Sequence, residues 1–295
     1  MKHRKHSLDS FNRDYKNILV DILIAFDCFC RNNSLKYSLT GGTLLGAVRY
    51  GGIIPWDDDI DVVMPRADYN RFLELSQKGI SDRFGVVSPY NHKRYYIGFS
   101  KVIDLNTSLI ETKDFKNSLL GVYVDVFPLD EVPANDEEAE ELFLRYKSIM
   151  ERVRSICYTP SFYDLFKRNK VIGIKSYVKS ILIRTFCNSQ SLAIKADRMI
   201  SNMSFKPSDY LRIYSGYVDS HSHQMIPKEW FEEYEDILFE GHFFKAIKQK
   251  EKFLTLLFGD YLTPPPAEDR KPHHSRYYVN LKQRKSLLMI RKLGY

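Results

Sequence analysis

Asp57, Asp59 and Asp61 alternate within the run Asp57-Asp58-Asp59-Ile60-Asp61, and Asp125 stands alone inside the apolar stretch Val122–Phe127. Alternate side chains share one face of an extended strand. The first three carboxylates therefore converge if the extended conformation reaches back to Asp57, while Asp58 faces away. At an effective dielectric of about 20, two unit charges about 4 Å apart repel by about 4 kcal/mol. That is a large share of a folding stability of about 5–15 kcal/mol. A counterion removes the cost, and closely set carboxylate oxygens suit a hard cation such as magnesium, which also takes phosphate oxygens. An unpaired carboxylate at Asp125, in an apolar strand, is costly unless it meets a metal or works as a base.

An arbitrary Asp-x-Asp is more often a solvated acidic turn. Two neighbours argue otherwise here: the lone Asp125, and Gly41-Gly42-Thr43, where bare backbone N–H groups at a helix start can approach a phosphate. A calcium loop fits Asp57, Asp59 and Asp61 at its first, third and fifth positions. It fails at Val62, where its sharp turn needs glycine, and at Asp68, where it needs glutamate.

The elements that must position these residues follow from periodicity. Apolar residues recur at helical spacing between Asp9 and Arg31. A short strand is expected over Leu35–Leu39, then a helix over Leu44–Arg49 capped by Thr43. The acidic run reads as strand from Asp59, Arg66–Gln77 as helix, and Phe84–Ser88, Tyr95–Ile103 and Gly121–Phe127 as extended. Beyond Pro133 the pattern becomes mainly helical, over Asn135–Tyr158, Asp164–Phe186, Leu192–Met203 and Lys248–Phe258, with a strand near Tyr210–Tyr214. The division expected is an α/β catalytic core over 1–133 and a mostly helical region over 134–295.

Strand, Gly-Gly, short helix, paired acids and one acid on a later strand together resemble the nucleotidyltransferase fold of the DNA polymerase beta type. That implies an α+β mixed sheet with flanking helices, followed here by a largely helical C-terminal part. The stretch YSLTGGTLLGAVRYGGIIPWDDDIDVVMPRADY closely resembles the signature of the LicD family, which includes phosphocholine transferases and fukutin-like phospho-polyol transferases. FSKVIDLNTSLIET, GVYVDVFPLD and LFGDYLTPPPAEDRKPHH extend the resemblance from about Tyr37 to His274.

The resemblance implies transfer of a phosphocholine or phospho-polyol unit from a CDP-linked donor to a hydroxyl of a cell-surface glycan, such as lipopolysaccharide or teichoic acid, with release of CMP. Asp59 and Asp61 would bind magnesium (or manganese), with Asp57 as a third ligand and Asp125 as ligand or general base. Gly41, Gly42 and Thr43 would cradle the diphosphate, and Arg49 and Lys101 are candidates to neutralise it. Trp56 is a candidate stacking platform or structural plug. Arg270, His273 and His274 would close the site or touch the acceptor, and nothing marks a metal site around His221 and His223. Two other readings compete: a nucleotidyltransferase making a CDP-linked product from CTP, and a glycan-binding module without catalysis.

Composition bounds the rest. The 295 residues carry 44% hydrophobic and 27% charged residues and a net charge of +7, ordinary for a globular chain. Cys28, Cys30, Cys157 and Cys187 form no zinc spacing and are expected to be reduced thiols. No apolar run reaches the roughly 18–20 residues that span a bilayer, and no signal sequence is recognisable. A cytoplasmic protein is therefore expected, peripheral at most at the inner face of the membrane. Lys167–Arg184 mixes apolar residues with six basic ones and reads as an amphipathic helix able to lie on anionic lipid, toward a lipid-linked oligosaccharide acceptor. Nucleic acid is not an expected partner.

Overall fold

A long helix, α1 (Lys2–Asn32), opens the chain and lays one stripe (Tyr15, Leu19, Ile22, Leu23, Phe26, Cys30) on the sheet. The computed structural model describes residues 2–93, 95–112, 118–158, 178, 182, 188–202, 206–214, 225–272 and 274–295, with side chains from Phe11 onward. Apart from Val178 and Leu182, the helix expected over Asp164–Phe186 lies outside the described residues. So do Cys187, His221, His223 and His273.

β1 (Ser38–Leu39), α2 (Gly41–Tyr50), β2 (Asp61–Pro65), α3 (Arg66–Leu75), β3 (Phe84–Val87), β4 (Ser100–Asp104), β5 (Ser108–Ile110) and β6 (Tyr123–Pro133) follow in order. The principal sheet runs β1-β2-β6-β4-β3. Only the β2–β6 pair within it is parallel; the others are antiparallel. Val62, Val63 and Met64 are fully buried, so β2 is covered on both faces, as a strand between two others should be. α1 packs on β4 and β6, and α3 packs against β2 and β6. The chain is therefore α+β, with a mixed sheet and flanking helices.

α4 (Asp136–Cys157) and α5 (Ser189–Ser201) pack on each other, each opened by an asparagine whose side chain accepts from a first-turn N–H. Arg66 joins them to the sheet, donating to Asp130 on β6 (2.8 Å) and Asp197 on α5 (3.0 Å).

Helices are accompanied by more strands in this half than the periodicity foretells. β7 (Pro207–Arg212) pairs with β6 and with β8 (Ile226–Pro227). β9 (Tyr234–Phe239) and β10 (His242–Ile247) form a hairpin turning at Glu240-Gly241, both at positive φ. After α6 (Lys250–Phe258), β11 (Tyr278–Asn280) pairs with β5, and α7 (Leu287–Lys292) follows. The hairpin steadies the turn before the acidic run, because the Glu240 carboxylate accepts from Ile53 N–H at 2.8 Å.

Candidate active site

The strand carrying the acids begins at Asp61, not at Asp59. Residues 57–60 are irregular, and the parallel ladder with β6 comes into register at Asp61, opposite Asp125. Asp125 N–H does donate to Ile60 C=O at 2.9 Å, so the approach is already aligned with β6. Neighbouring strands lie about 4.8 Å apart, which puts Asp61 and Asp125 side by side. On the far side of Asp125 the register brings in Lys101 of β4. An acid–acid–base row thus crosses three adjacent strands.

Lys101 Nζ is 2.6 Å from Asp125 Oδ1 and 3.4 Å from the centre of the Tyr123 ring, and the pair is almost wholly buried. The position expected at a donor diphosphate is instead bonded to the innermost carboxylate. Tyr123 Oη and Tyr96 Oη in turn donate to the Glu111 carboxylate, the latter at 2.8 Å. Burial pulls the Glu111 pKa up, but Lys101 and the two hydroxyls outweigh it and leave Glu111 below the usual range.

α2 supplies the opposite wall. Its N-cap is Thr40, with no side-chain cap bond, so Thr43 is not the expected cap. Instead Thr43 Oγ1 accepts from Asp61 N–H at 2.8 Å, pinning the start of β2 to the helix. Gly41 sits at φ +53°, which disfavours a side chain. A Cβ at Gly42 would lie 2.6 Å from Asp57 Oδ2, and one at Gly41 3.4 Å from Asp61 Oδ2. The two glycines are what lets the helix N-terminus, favourable to anions, press against two carboxylates.

Asp57, Asp59 and Asp61 line a cavity of about 560 Å³ together with Gly41, Gly42, Arg49 and Trp56. Its outer wall comes from far along the chain: Phe258, Asp260, Tyr261, Thr263 and Pro265. Asp125 lies one strand further in. Arg49 leans on Tyr50, donating to its hydroxyl at 3.0 Å. Trp56 packs edge-on against Tyr50, and the Arg270 guanidinium lies 5.2 Å from its ring centre.

Burial pushes Asp59 and Asp61 well above the usual carboxylate range; Asp57 adds to this at Asp59, and Asp59 and Asp125 add to it at Asp61. Burial also raises Asp125, although Lys101 opposes it. These are the energetics of negative oxygens held closer than water would leave them, and a hard divalent cation is the ligand that relieves them. The donor set of Asp57, Asp59, Asp61 and Asp125 fits magnesium. Asp57, Asp59 and Asp61 line the cavity and Asp125 lies behind them, so the four are not drawn to one point. Among the described residues, the potential ligand atoms lying within 4.8 Å of one another belong to Asp58, Asp59 and His274.

The sequence reading leaves Asp58 out of the site as facing away from the other acids, and it does not mark Arg276. Asp58 lies outside the cavity lining, yet it is buried: it accepts from Arg276 Nη2 at 2.8 Å and lies 3.4 Å from His274 Nδ1. His274 Nδ1 is also 3.5 Å from Asp59 Oδ2, and the hydrogen bond with Asp58 raises its pKa to about 9. The Arg276 guanidinium stacks 3.9 Å from the Tyr15 ring centre on α1. Ser275 Oγ and Tyr277 N–H donate to Glu111 C=O at 3.1 and 3.0 Å. Residues 274–278 are thus stitched along the flank of the acids. With a guanidinium already on Asp58, that acid serves as a latch for this segment. The acidic run itself was the available signal for Asp58, whereas its pairing with Arg276, 218 positions away, has none in the sequence.

Residues 34–160 match the family described as LicD/FKTN/FKRP, nucleotidyltransferase domain. The chain is also 29% identical over 271 residues to the lipopolysaccharide cholinephosphotransferase LicD of Haemophilus influenzae, covering 89% of this chain and 95% of that one. Residues 34–160 are a LicD-type domain. Shorter matches join the chain to an uncharacterised protein of Rickettsia typhi (49% over 43 residues; 15% of this chain, 14% of that one) and one of Rickettsia prowazekii (56% over 36 residues; 12% and 14%). The family match over 34–160 takes in all four aspartates, Gly41, Gly42 and Lys101, but ends well before the outer wall of the cavity and before His274 and Arg276.

Proposed function

We propose that this LicD-type transferase moves a phosphocholine or phospho-polyol unit from a CDP-linked donor to a hydroxyl of a cell-surface glycan, releasing CMP. The observation that carries the reading is the parallel register of Asp61 with Asp125 beside a cavity that Asp57 and Asp59 also line and the N-terminus of α2 closes. The Haemophilus relative is by name a lipopolysaccharide cholinephosphotransferase, which supports phosphocholine as the group and lipopolysaccharide as the acceptor.

Asp57, Asp59, Asp61 and Asp125 would hold magnesium (or manganese). When bound, the metal would neutralise charge on the donor phosphates and on the oxygens being exchanged. The remaining work falls to the chain. The N–H groups at Gly41 and Gly42 face the donor's diphosphate, and Arg49 on the cavity wall takes up part of its charge. Trp56 and Tyr261 offer flat faces to the cytosine or to the transferred group. Lys101 fixes the orientation of Asp125, which serves as ligand or takes the proton of the acceptor hydroxyl. The acceptor oxygen bonds to the phosphorus that bears the transferred group. The phosphoanhydride bond breaks, CMP leaves with the bridging oxygen, and the hydroxyl proton passes to a carboxylate or to water.

The test incubates the purified chain and magnesium with CDP-choline, with CDP-ribitol, or with CTP and phosphocholine, reading CMP against pyrophosphate. CMP release from a CDP-linked donor, abolished by a chelator and by Asp61→Asn, is expected. Pyrophosphate from CTP without CMP from any CDP-linked donor would establish nucleotidyl transfer instead. Activity unchanged in Asp61→Asn would remove the site proposed.

A further inference from the structure

Residues 270–295 contain eight lysines and arginines and no aspartate or glutamate. Within them, α7 is fixed rigidly to the fold. Arg284 Nη1 donates to Thr107 C=O at 3.0 Å, and Lys285 N–H donates to Ser108 Oγ at 2.7 Å, so the approach to the helix is tied to β5. Ser286 caps it by accepting from Met289 N–H. Ile290 alone of its side chains is fully buried, against Ile110 and Tyr278.

Turning 100° per residue, a helix that buries Ile290 points Leu288 to the opposite side and puts Met289 and Leu293 together on one flank. The exposures agree: 64% for Leu288, 56% for Met289 and 55% for Leu293. Lys292 is exposed between them, and Lys282 is exposed on the preceding turn. Single exposed leucines need no explanation. Three large apolar side chains on a six-residue helix and its C-cap residue, set in a stretch carrying only positive charge, do.

We propose that this face of α7 docks on an anionic lipid bilayer, with Leu288, Met289 and Leu293 entering the boundary between headgroups and acyl chains and Lys282 and Lys292 lying among the anionic headgroups. Apolar insertion beside basic residues is the chemistry of an interfacial helix, and lysine stems cover apolar surface while their ammonium groups stay in water. A nucleic acid would use the charge but has no use for the three apolar groups. Lys167–Arg184, outside the described residues apart from Val178 and Leu182, is a separate stretch, and the surface on α7 stands without it. α7 joins β11 and so the segment holding Arg276 and His274; docking here therefore fixes how the acid-lined cavity faces the bilayer.

The experiment is flotation with extruded vesicles of phosphatidylcholine, with and without phosphatidylglycerol. The wild-type chain is expected to float with the anionic vesicles and to be released by salt. Leu288→Glu/Leu293→Glu changes only exposed positions and should keep its melting temperature. It should lower partitioning by at least about tenfold, as should Lys282→Ser/Lys292→Ser. Leu288→Trp should show a blue shift in emission, beyond any in the wild type, when anionic vesicles are added. No flotation of the wild type, wild-type flotation of the Glu variant, or no such shift in the Leu288→Trp variant would each overturn the proposal, as would an emission shift with an oligonucleotide but not with lipid. CMP release from a soluble CDP-linked donor should be the same in the Glu variant, so this surface and the reaction succeed or fail separately.

Discussion

Replacing Lys101 with methionine tests the charge balance on which the acid row depends. The substitution keeps the volume of the side chain and removes the cation bonded to Asp125 at 2.6 Å, in a pair almost wholly buried. Breaking such a pair leaves an uncompensated charge and costs about 3–5 kcal/mol. A per-residue unfolding entropy of about 2.1 cal/mol/K gives about 0.6 kcal/mol/K for a chain of 295 residues. Lys101→Met should therefore melt about 5–8 °C below the wild type in chelator. Magnesium supplies positive charge to the same carboxylates, so it should raise the melting temperature of the variant more than that of the wild type. Lys101→Met/Asp125→Asn deletes both charges and should recover most of the loss. The remainder is the lysine's contact with the Tyr123 ring, up to about 2 kcal/mol. The double variant should release no CMP. Differential scanning calorimetry with and without magnesium provides the readout. A single variant that melts within about 1 °C of the wild type, or a double variant no more stable than the single one, would refute the assignment of Lys101 as the counter-charge of Asp125.

Gly42→Ala should leave the melting temperature nearly unchanged, since alanine suits a helix. It should nevertheless cut CMP release by about 100-fold, because the new Cβ pushes Asp57 aside; unaltered turnover would show that Asp57 is not held by this contact. Arg276→Gln should raise hydrogen exchange over residues 275–280 and lower turnover, with Arg276→Lys intermediate; full protection in the glutamine variant would dismiss the latch. Glu111 has its folded pKa held below the ordinary 4.5, so its stabilising contribution is present above that value and lost as the pH falls through the folded one. Glu111→Gln should accordingly be less stable at neutral pH and flatten the fall in melting temperature on the acid side; parallel curves for the two proteins would contradict this.

Most of the acid site was legible because its parts are local. Gly41-Gly42 and the alternating aspartates sit within one 21-residue stretch, 41–61, and Asp125 is conspicuous as the sole charge in the apolar stretch Val122–Phe127. The start of β2 was misplaced because periodicity reports which face a residue takes, while a strand begins where its ladder comes into register; here that is at Asp61, opposite Asp125. Thr43 had the chemistry of a cap, but the helix begins earlier, at Gly41, and its hydroxyl is taken by Asp61. The β9–β10 hairpin did carry a signal, two runs rich in aromatic residues and isoleucine around Glu240-Gly241, which the helical reading of that half passed over. The three-residue β5–β11 pairing, the Asp58–Arg276 latch and the lysine on Asp125 have none, because each joins side chains that only the finished fold brings together.

The cavity is assembled from two parts of the chain with different constraints. The acids of its inner wall and its glycines sit at the start of β2, in the irregular residues just before it, and at the start of α2, where a displaced atom disturbs several charges at once. Its outer wall, from Phe258 to Pro265, is a surface loop with its side chains partly or largely in solvent. Exchanging one large residue for another there would reshape the chamber without moving a carboxylate. A chemistry fixed on one side and an adjustable rim on the other is a layout in which new donors or acceptors can be accommodated by a few changes near residue 260.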